Sequence, residues 1–262
     1  MKRVVVAILA IVALGTLQAQ EPVRINSTDP LEGDTAVAAS IINNYLALIN
    51  FEHLLTDSVL HVKSSVVERS HSEDTITIQR WYGNKGMNRI EMWQKGRLKD
   101  AYYSDGKKIF RRFSDTYRQW RNMSQLSYSD LTISLDIRGA LYQWRSKGSE
   151  VYYQGKYTYN DHPVWRVFVT SPSVYDRNYF FESETGLLFL VTEENHIYGN
   201  DEPAANAKLV DWRAWHEFTP FHGCLLPTME SYQVDNQLFI IHHQFELLPS
   251  NNSYFTENVY TP

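Results

Sequence analysis

Histidines are the side chains of this sequence that could most directly bind a metal ion or move a proton. His242 and His243 are adjacent, so on a strand they would point to opposite faces and could not hold one ion together. His216 and His222 flank a proline corner at a spacing that matches no recognised metal motif. The pattern favours ordinary surface or core histidines, and we expect no metal site.

Motifs for covalent or cofactor chemistry are absent from the sequence, which has no nucleophile elbow, P-loop, dinucleotide fingerprint or zinc-protease motif. The paired acids Glu182/Glu184 and Glu193/Glu194 fall at hairpin ends, where solvated carboxylates are expected. An enzyme would need a convergent group of titratable residues in a deep pocket, and the sequence indicates none. We therefore expect no enzyme and no cofactor.

One histidine has an unusual setting, because His243 shares its strand parity with apolar neighbours such as Ile241 and Phe245. Two interpretations stay open at this stage. His243 is either a single polar contact inside a cavity or a core histidine bonded to backbone.

Aromatic side chains carry a stronger signal, since Phe, Trp and Tyr make up 14% of the chain. Together with aliphatic residues they recur at alternate positions within 151–159 and 163–169. In the hairpin Tyr179 and Phe181 share a parity, as do Leu188 and Leu190, and the whole pattern predicts one broad apolar sheet face. One interpretation is an ordinary hydrophobic core beneath helices. The predicted helices are too few to cover the predicted sheet, however, which favours the wall of an apolar cavity. The predicted lipid-binding wall positions are Tyr153, Tyr157, Trp165, Tyr179, Phe181, Phe239, Ile241, His243 and Phe245.

The elements that must position this face follow from the period of the apolar residues. Helical spacing predicts a helix over about 35–50, with Asp34 or Thr35 as its cap. Beyond it the period falls to two, and corners rich in Gly and Asp predict an antiparallel meander of about ten or eleven strands. Residues 124–147 interrupt this meander with one or two short helices, of which 127–145 would form a lid. The fold class is therefore mainly antiparallel β, with an N-terminal helix and a mid-chain helical insertion.

The stretch "NYFFESETGLLFLVTEE" (178–194) predicts a hairpin that is apolar on both faces. One face would look into the cavity. The other should be covered by a helix, a neighbouring segment or a partner, because Phe180, Leu187 and Phe189 are poor residues to leave in water.

Residues 1–20 have the pattern of a cleavable signal peptide, with a basic start, an apolar core and a small-residue cleavage site. An uncleaved anchor is the alternative. Residues 21–33 are aperiodic and predict a flexible leader, and 34–262 predict one domain. The only cysteine, Cys224, is far from the predicted cleavage site, so we expect neither a lipid anchor on an N-terminal cysteine nor an internal disulfide.

Charge argues against nucleic-acid binding. Without Lys2 and Arg3, the 25 basic residues become 23 against 30 acidic ones, a net charge of −7 with the acidic groups dispersed.

The order of several segments resembles the LolA/LolB-like outer-membrane lipoprotein carriers and their periplasmic relatives. The similar segments are the helix "IINNYLALIN", the hairpins "NKGMNRIEMWQKGRLKDAYYSDGKKIF", "VYYQGKYTYNDHPVWRVFV" and "YFFESETGLLFLVTEE", the insertion "SYSDLTISLDIRGAL" and the strand "FHGCLLPTMESY". The resemblance covers about residues 37–247.

This resemblance implies a curved, incompletely closed barrel with helices as a lid, whose concave face holds acyl chains of lipids or lipoproteins in the periplasm. It also implies inner- and outer-membrane sorting proteins as partners. The expected function is thus a soluble periplasmic carrier for outer-membrane lipoprotein sorting. The alternative is an envelope sensor or interaction module that uses the same fold to bind a partner protein.

Overall fold

One α-helix, α1 (Thr35–Ile49), begins the part of the chain that the computed structural model describes. The described residues are 33–69, 71–113, 121–122, 139–159, 161–170, 175–195, 212–234 and 237–256. The Asp34 carboxylate caps α1 by accepting the backbone N–H groups of Ala36 and Val37 at 2.8 and 3.0 Å. The helix ends at Asn50, whose left-handed backbone returns its N–H to the carbonyl of Leu46. The predicted helix and its cap are confirmed.

Thirteen strands follow in the described residues, rather than ten or eleven. The first six are β1 (Ser58–Glu68), β2 (His71–Tyr82), β3 (Met87–Gln94), β4 (Arg97–Asp105), β5 (Ile109–Phe113) and β6 (Arg121–Asn122). The other seven are β7 (Glu150–Tyr159), β8 (His162–Thr170), β9 (Tyr175–Glu182), β10 (Leu188–Asn195), β11 (Trp212–Phe221), β12 (Cys224–Val234) and β13 (Gln237–Pro249). The number of strands predicted from the sequence was too low, partly because a two-residue strand such as β6 leaves no periodic signal.

These strands form one antiparallel sheet in the order β6-β5-β4-β3-β2-β1-β13-β12-β11-β10-β9-β8-β7. The first and last strands of the sequence therefore pair in its middle, with Ser58 opposite Pro249 and Glu68 opposite Phe239. The edges are β6 and β7, and no pairing between them closes the sheet within the described residues. These residues all belong to one compact unit, Gly33–Pro262.

We call the side of the sheet against which α1 packs the helix face, and the opposite side the outer face. α1 contacts β7 and β12 and buries an apolar stripe that includes Ile42 and Ile49. Such fully buried side chains each contribute roughly 1.5–3 kcal/mol by leaving water. The helix-face core comprises Ala38, Ile41, Ile42, Tyr45, Ile49, Phe51, Leu54, Leu55, Leu60, Val62, Tyr82, Ala140, Leu141, Trp144, Val151, Val167, Val169, Tyr179, Phe181, Leu188, Val191, Cys224 and Leu226.

The outer face has a separate apolar cluster, in which Phe255 of the C-terminal segment packs with Val59 and Trp81. Phe255 approaches the backbone so closely that a Cβ on Gly83 would lie 2.7 Å from its ring. A fully buried ion pair, Arg89 with Glu91, lies on the same face. The Arg89 Nη1 also donates to the carbonyl of Thr256 at 2.7 Å, which ties the C-terminal segment to β3.

The hairpin of β9 and β10 shows how its second apolar face is covered. Leu190 is buried on the outer face, and Phe180 and Leu187 are half-buried. The ring of Phe189 stacks on His162 at 5.4 Å and meets the edge of Tyr159 at 5.7 Å, so the β7–β8 hairpin covers it.

Part of the predicted helical insertion lies outside the described residues, as do the predicted signal peptide and nearly all of the predicted leader. Of 127–145, the described portion starts at Gly139–Leu141, which is one turn of 3-10 helix. Leu141 and Trp144 are buried in the helix-face core. Among the described residues, no helix is long and apolar enough to cross a membrane.

Candidate functional site

Four predicted wall positions lie beneath or beside α1. Tyr179 and Phe181 are buried in the helix-face core, and the Phe181 ring meets the edge of Tyr45 from α1 at 5.6 Å. Tyr153 and Trp165 are half-buried and pack against the same core. The structure therefore brings these four side chains together, with α1 as part of their environment.

Tyr157 lies on the other side of the sheet, which corrects the sequence interpretation that it shares a face with Tyr153. A β-bulge shifts the register between Tyr153 and Gly155, and the extra residue reverses the alternation beyond it. The Tyr157 side chain packs over Arg166 on the outer face and the residue is 36% exposed.

A register shift of the same kind occurs at the first residues of β10. The sequence interpretation placed Leu188 and Leu190 on one face, but the register shifts between them. Leu188 joins Phe181 on the helix face, whereas Leu190 pairs with Phe180 on the outer face.

The four predicted positions on β13 share the helix face, as predicted. Phe239, Ile241, His243 and Phe245 lie opposite alternate residues of β1, from Glu68 to Val62. Ile241 is buried and the other three are half-buried. This face continues beyond α1 toward the β1–β5 half of the sheet.

The setting of His243 matches neither interpretation fully, because its partners are side chains. Its Nδ1 lies 2.8 Å from the hydroxyl of Ser64, which is fully buried on β1. Its Nε2 lies 3.2 Å from Glu230 Oε1 on β12, an ion-pair distance. The His243 side chain is only 5% exposed, so these contacts are made largely out of water.

Two arginines complete what we call the polar cluster, which consists of Ser64, Arg80, Arg213, Glu230 and His243. Arg80 on β2 donates from Nη1 to the Ser64 hydroxyl at 2.8 Å. Arg213 on β11 places Nε 3.6 Å from Glu230 Oε2. Five adjacent or nearby strands thus each supply one polar group to the helix face.

Electrostatics within this cluster keep Glu230 ionised. Burial alone would raise the pKa of its carboxyl, but Arg213, a hydrogen bond and charge from His243, and Arg80 together lower the pKa to about 2. The nearby hydroxyl of Tyr45 behaves in the opposite way. Burial, followed by the charge of Glu230, raises its pKa. At neutral pH the cluster therefore contains a carboxylate and two guanidinium groups.

The order Ser64–His243–Glu230 has the residue types of a nucleophilic relay, but the local geometry reduces the reactivity of its hydroxyl. Ser64 is fully buried, and its oxygen already accepts a hydrogen bond from Arg80. The other nucleophile, Cys224, donates its thiol to the carbonyl of Asn50 at 3.1 Å. Burial raises the pKa of that thiol, which disfavours the reactive thiolate.

Aromatic rings line one side of the polar cluster. The guanidinium of Arg213 lies over the rings of Trp215 and Tyr232, at 6.0 and 5.8 Å from their centroids. Tyr232 in turn stacks on Phe239 with centroids 4.7 Å apart.

On the other side of the cluster lies an apolar strip, formed by Ile76, Ile78, Ile90 and Met92. Register places these residues on the helix face, since Ile78 is opposite both Ser64 and Met92, and Ile90 is opposite Arg80. All four side chains are half-buried, so this part of the helix face keeps contact with solvent. The arrangement offers apolar surface next to fixed positive charge, which suits an amphiphilic ligand better than a purely apolar one.

Sequence reasoning missed Ser64, Arg80, Arg213 and Glu230. A usable local signal was present in β1 and β2, where Ser64 and Arg80 each occupy an inward position between apolar residues. Among the described residues, no three His, Cys, Asp or Glu side chains cluster closely enough to hold a metal ion.

No protein-family model matches this sequence, and no curated protein matches it. Among solved structures, a LolA superfamily protein from Nitrosomonas europaea superposes with a TM-score of 0.57 at 12% identity, covering 84% of this chain and 97% of the other. A putative outer membrane lipoprotein-sorting protein domain from Vibrio parahaemolyticus gives 0.54 at 8% identity, with 81% and 94% covered. A DUF1329 family protein from Desulfovibrio piger gives 0.52 at 11% identity, with 82% and 97% covered.

These likenesses concern the fold, and they show that the chain has a LolA-like fold. The predicted fold class, a curved antiparallel sheet that does not close into a full barrel and that carries a helix on one face, is confirmed.

Proposed function

We propose that this protein is an exported, periplasmic, non-enzymatic carrier that binds the acyl chains of a lipid or lipoprotein on its helix face. The observation that carries the proposal is the apolar strip, where Ile78, Ile90 and Met92 stay half-exposed on a LolA-like sheet. An acyl chain laid on this strip would leave water at a gain of about 0.8 kcal/mol per buried CH₂ group.

Two further features support this proposal. The first is the pattern of the amino-terminal residues, which predicts export. The second is the likeness in fold to the putative outer membrane lipoprotein-sorting protein domain from Vibrio parahaemolyticus. We therefore propose lipoprotein sorting, with inner- and outer-membrane sorting proteins as partners, as the process in which such a carrier would act.

The test is lipid analysis of the protein exported to the periplasm of a bacterial host. We expect native mass spectrometry of the purified protein to show bound acyl lipid. Ile78→Gln should lower the lipid-bound fraction at least about fivefold, because an amide buried under an acyl chain without a partner costs roughly 1–3 kcal/mol.

The matched control is Ile240→Gln. Ile240 is also half-buried but faces the outer side, where it pairs with Val67 and Ser231. This variant should keep its lipid. The opposite result would be a wild-type protein that carries no lipid and with which one envelope protein co-purifies in stoichiometric amount. This result would support the sensor or interaction module and reject the carrier.

A further inference from the structure

The helix face carries one more positive than negative charge where the apolar strip meets the polar cluster. Arg80 and Arg213 each carry a charge of +1, and Glu230 with its pKa of about 2 carries −1 at neutral pH. Glu230 lies 3.6 Å from Arg213, so the charge of Arg213 is matched. The charge of Arg80 is not matched by any carboxylate within ion-pair distance among the described residues.

Arg80 is also short of hydrogen-bond acceptors. A guanidinium has five N–H donors, and the one acceptor found for Arg80 in the described residues is the neutral hydroxyl of Ser64 at 2.8 Å. The residue is half-buried, with Ile90 opposite it on β3 and Val62 opposite it on β1. A cation in such a half-apolar setting is stabilised by an anion that reaches its remaining donors.

From this geometry we propose that Arg80 binds the anionic head group of an amphiphile whose acyl chain covers the apolar strip. The ligand class is thus an acyl chain that ends in an oxyanion, either a carboxylate or a phosphate. The planar fork of the guanidinium can bind either oxyanion through two parallel hydrogen bonds. This inference rests on the proposed function and adds the chemistry of the head group to it.

Arg213 forms the second side of this site. Its side chain is 48% exposed, and it is held over the rings of Trp215 and Tyr232. Glu230 lies on β12, a strand between those of the two arginines, and it pairs with Arg213 at 3.6 Å. Arg80 is therefore the group with spare donors. The head group is expected to bind at Arg80 and to be attracted by Arg213 over a longer distance.

The experiment compares two ligands that share a chain and differ in the head group, oleate and monoolein, by isothermal titration at neutral pH. Wild-type protein should bind oleate at least about tenfold more tightly than monoolein, the effect expected for one charge-assisted, hydrogen-bonded pair. Arg80→Met keeps the unbranched apolar stem of the side chain and removes the charged guanidinium group. This variant should lose that preference while still binding monoolein, and its binding of monoolein also verifies that it is folded.

Lys63→Met is the matched control for the loss of one positive charge. Lys63 is exposed on the neighbouring strand β1 and faces the outer side, opposite Gln79 and Gln244. Its loss should leave the preference for oleate unchanged, and Arg80→Lys should restore part of it. A preference for oleate that survives Arg80→Met, or that is equally reduced by Lys63→Met, overturns the head-group site.

Two further binding measurements distinguish an anionic head group from a free anion. An acyl phosphate ligand, lysophosphatidic acid, is expected to bind at least as well as oleate. Displacement of oleate by millimolar inorganic phosphate would overturn the proposal, because it would make Arg80 a site for a free anion. If neither oleate nor monoolein binds the wild-type protein, the proposed carrier function fails and the head-group site fails with it; if both bind equally, only the head-group site fails.

Discussion

The depressed pKa of Glu230 makes a quantitative prediction about acid stability. A carboxyl whose folded-state pKa of about 2 lies below an unfolded value of about 4.5 stabilises the fold above pH 4.5. That stabilisation is lost as the pH falls toward 2. The depressed pKa of Glu230 corresponds to a stabilisation of roughly 3 kcal/mol at neutral pH and roughly 1 kcal/mol at pH 3.

The perturbation is Glu230→Gln, and the measurement is urea unfolding followed by tryptophan fluorescence at pH 7 and at pH 3. At pH 7 we expect the free energy of unfolding of the variant to be about 3 kcal/mol below that of the wild type. At pH 3 this difference should shrink by about 2 kcal/mol, because most of the stabilisation from Glu230 has then been lost in the wild type too.

The control is Glu246→Gln on β13, the same chemical change at a side chain that is 65% exposed and 3.5 Å from His61. Exposed ion pairs contribute about 0–1 kcal/mol, so this variant should differ little from the wild type at either pH. A wild-type–Glu230→Gln difference that stays constant within about 0.5 kcal/mol from pH 7 to pH 3 would refute the reasoning.

Three other variants test features of the sheet by urea unfolding at pH 7. Phe255→Ala empties the buried outer-face cluster and should cost about 3–5 kcal/mol; a cost below about 1 kcal/mol would mean that the C-terminal segment does not pack there in solution. Glu91→Gln leaves the fully buried Arg89 without its counter-charge and removes the carboxylate that accepts from Trp93 at 3.0 Å. We expect the free energy of unfolding to fall by about 3–5 kcal/mol, and an unchanged urea midpoint would contradict this expectation. Gly155→Ala forces a Cβ onto a backbone with φ of +114° and should cost about 1–3 kcal/mol, whereas a neutral result would argue against the bulge.

Local periodicity was enough to predict the elements, because each depends on neighbouring residues. The helix was expected over about 35–50 and spans Thr35–Ile49, since its apolar stripe and its cap at Asp34 are both local signals. The corners rich in Gly and Asp that follow β2 and β4 are local signals of the same kind. Gly86 and Gly106 there adopt positive φ values of 76° and 88°, which glycine tolerates and other residues resist.

The assignment of side chains to sheet faces from their alternate positions was wrong where a β-bulge adds one residue to a strand. Tyr153 and Tyr157 are four residues apart and should share a face on a regular strand, but the bulge before Gly155 reverses the alternation. A single glycine inside a strand is compatible with a bulge and equally with regular pairing, so the sequence did not decide between them.

The polar cluster could not be predicted, because it depends on long-range pairing. Ser64 and His243 are 179 residues apart and meet only because β1 pairs with β13 in one particular register. A slip of one residue would move His243 to the outer face and separate it from Ser64. The sequence therefore marked His243 as unusual without showing its partners.

The strand order also sets the sequence of events by which the sheet can be completed. Strands β1–β6 and strands β7–β13 pair with their neighbours in the chain, so each half can grow by pairing between consecutive strands. The seam between the halves, β1 against β13, joins residues 58–68 to residues 239–249 and must wait for the last strand. Until then β1 presents an unpaired edge with apolar residues such as Leu60 and Val62, the kind of edge on which other chains aggregate. If the chain is exported amino terminus first, as proposed above, this edge is exposed for nearly the whole passage, and protection of β1 during that passage should decide how much protein reaches the folded state.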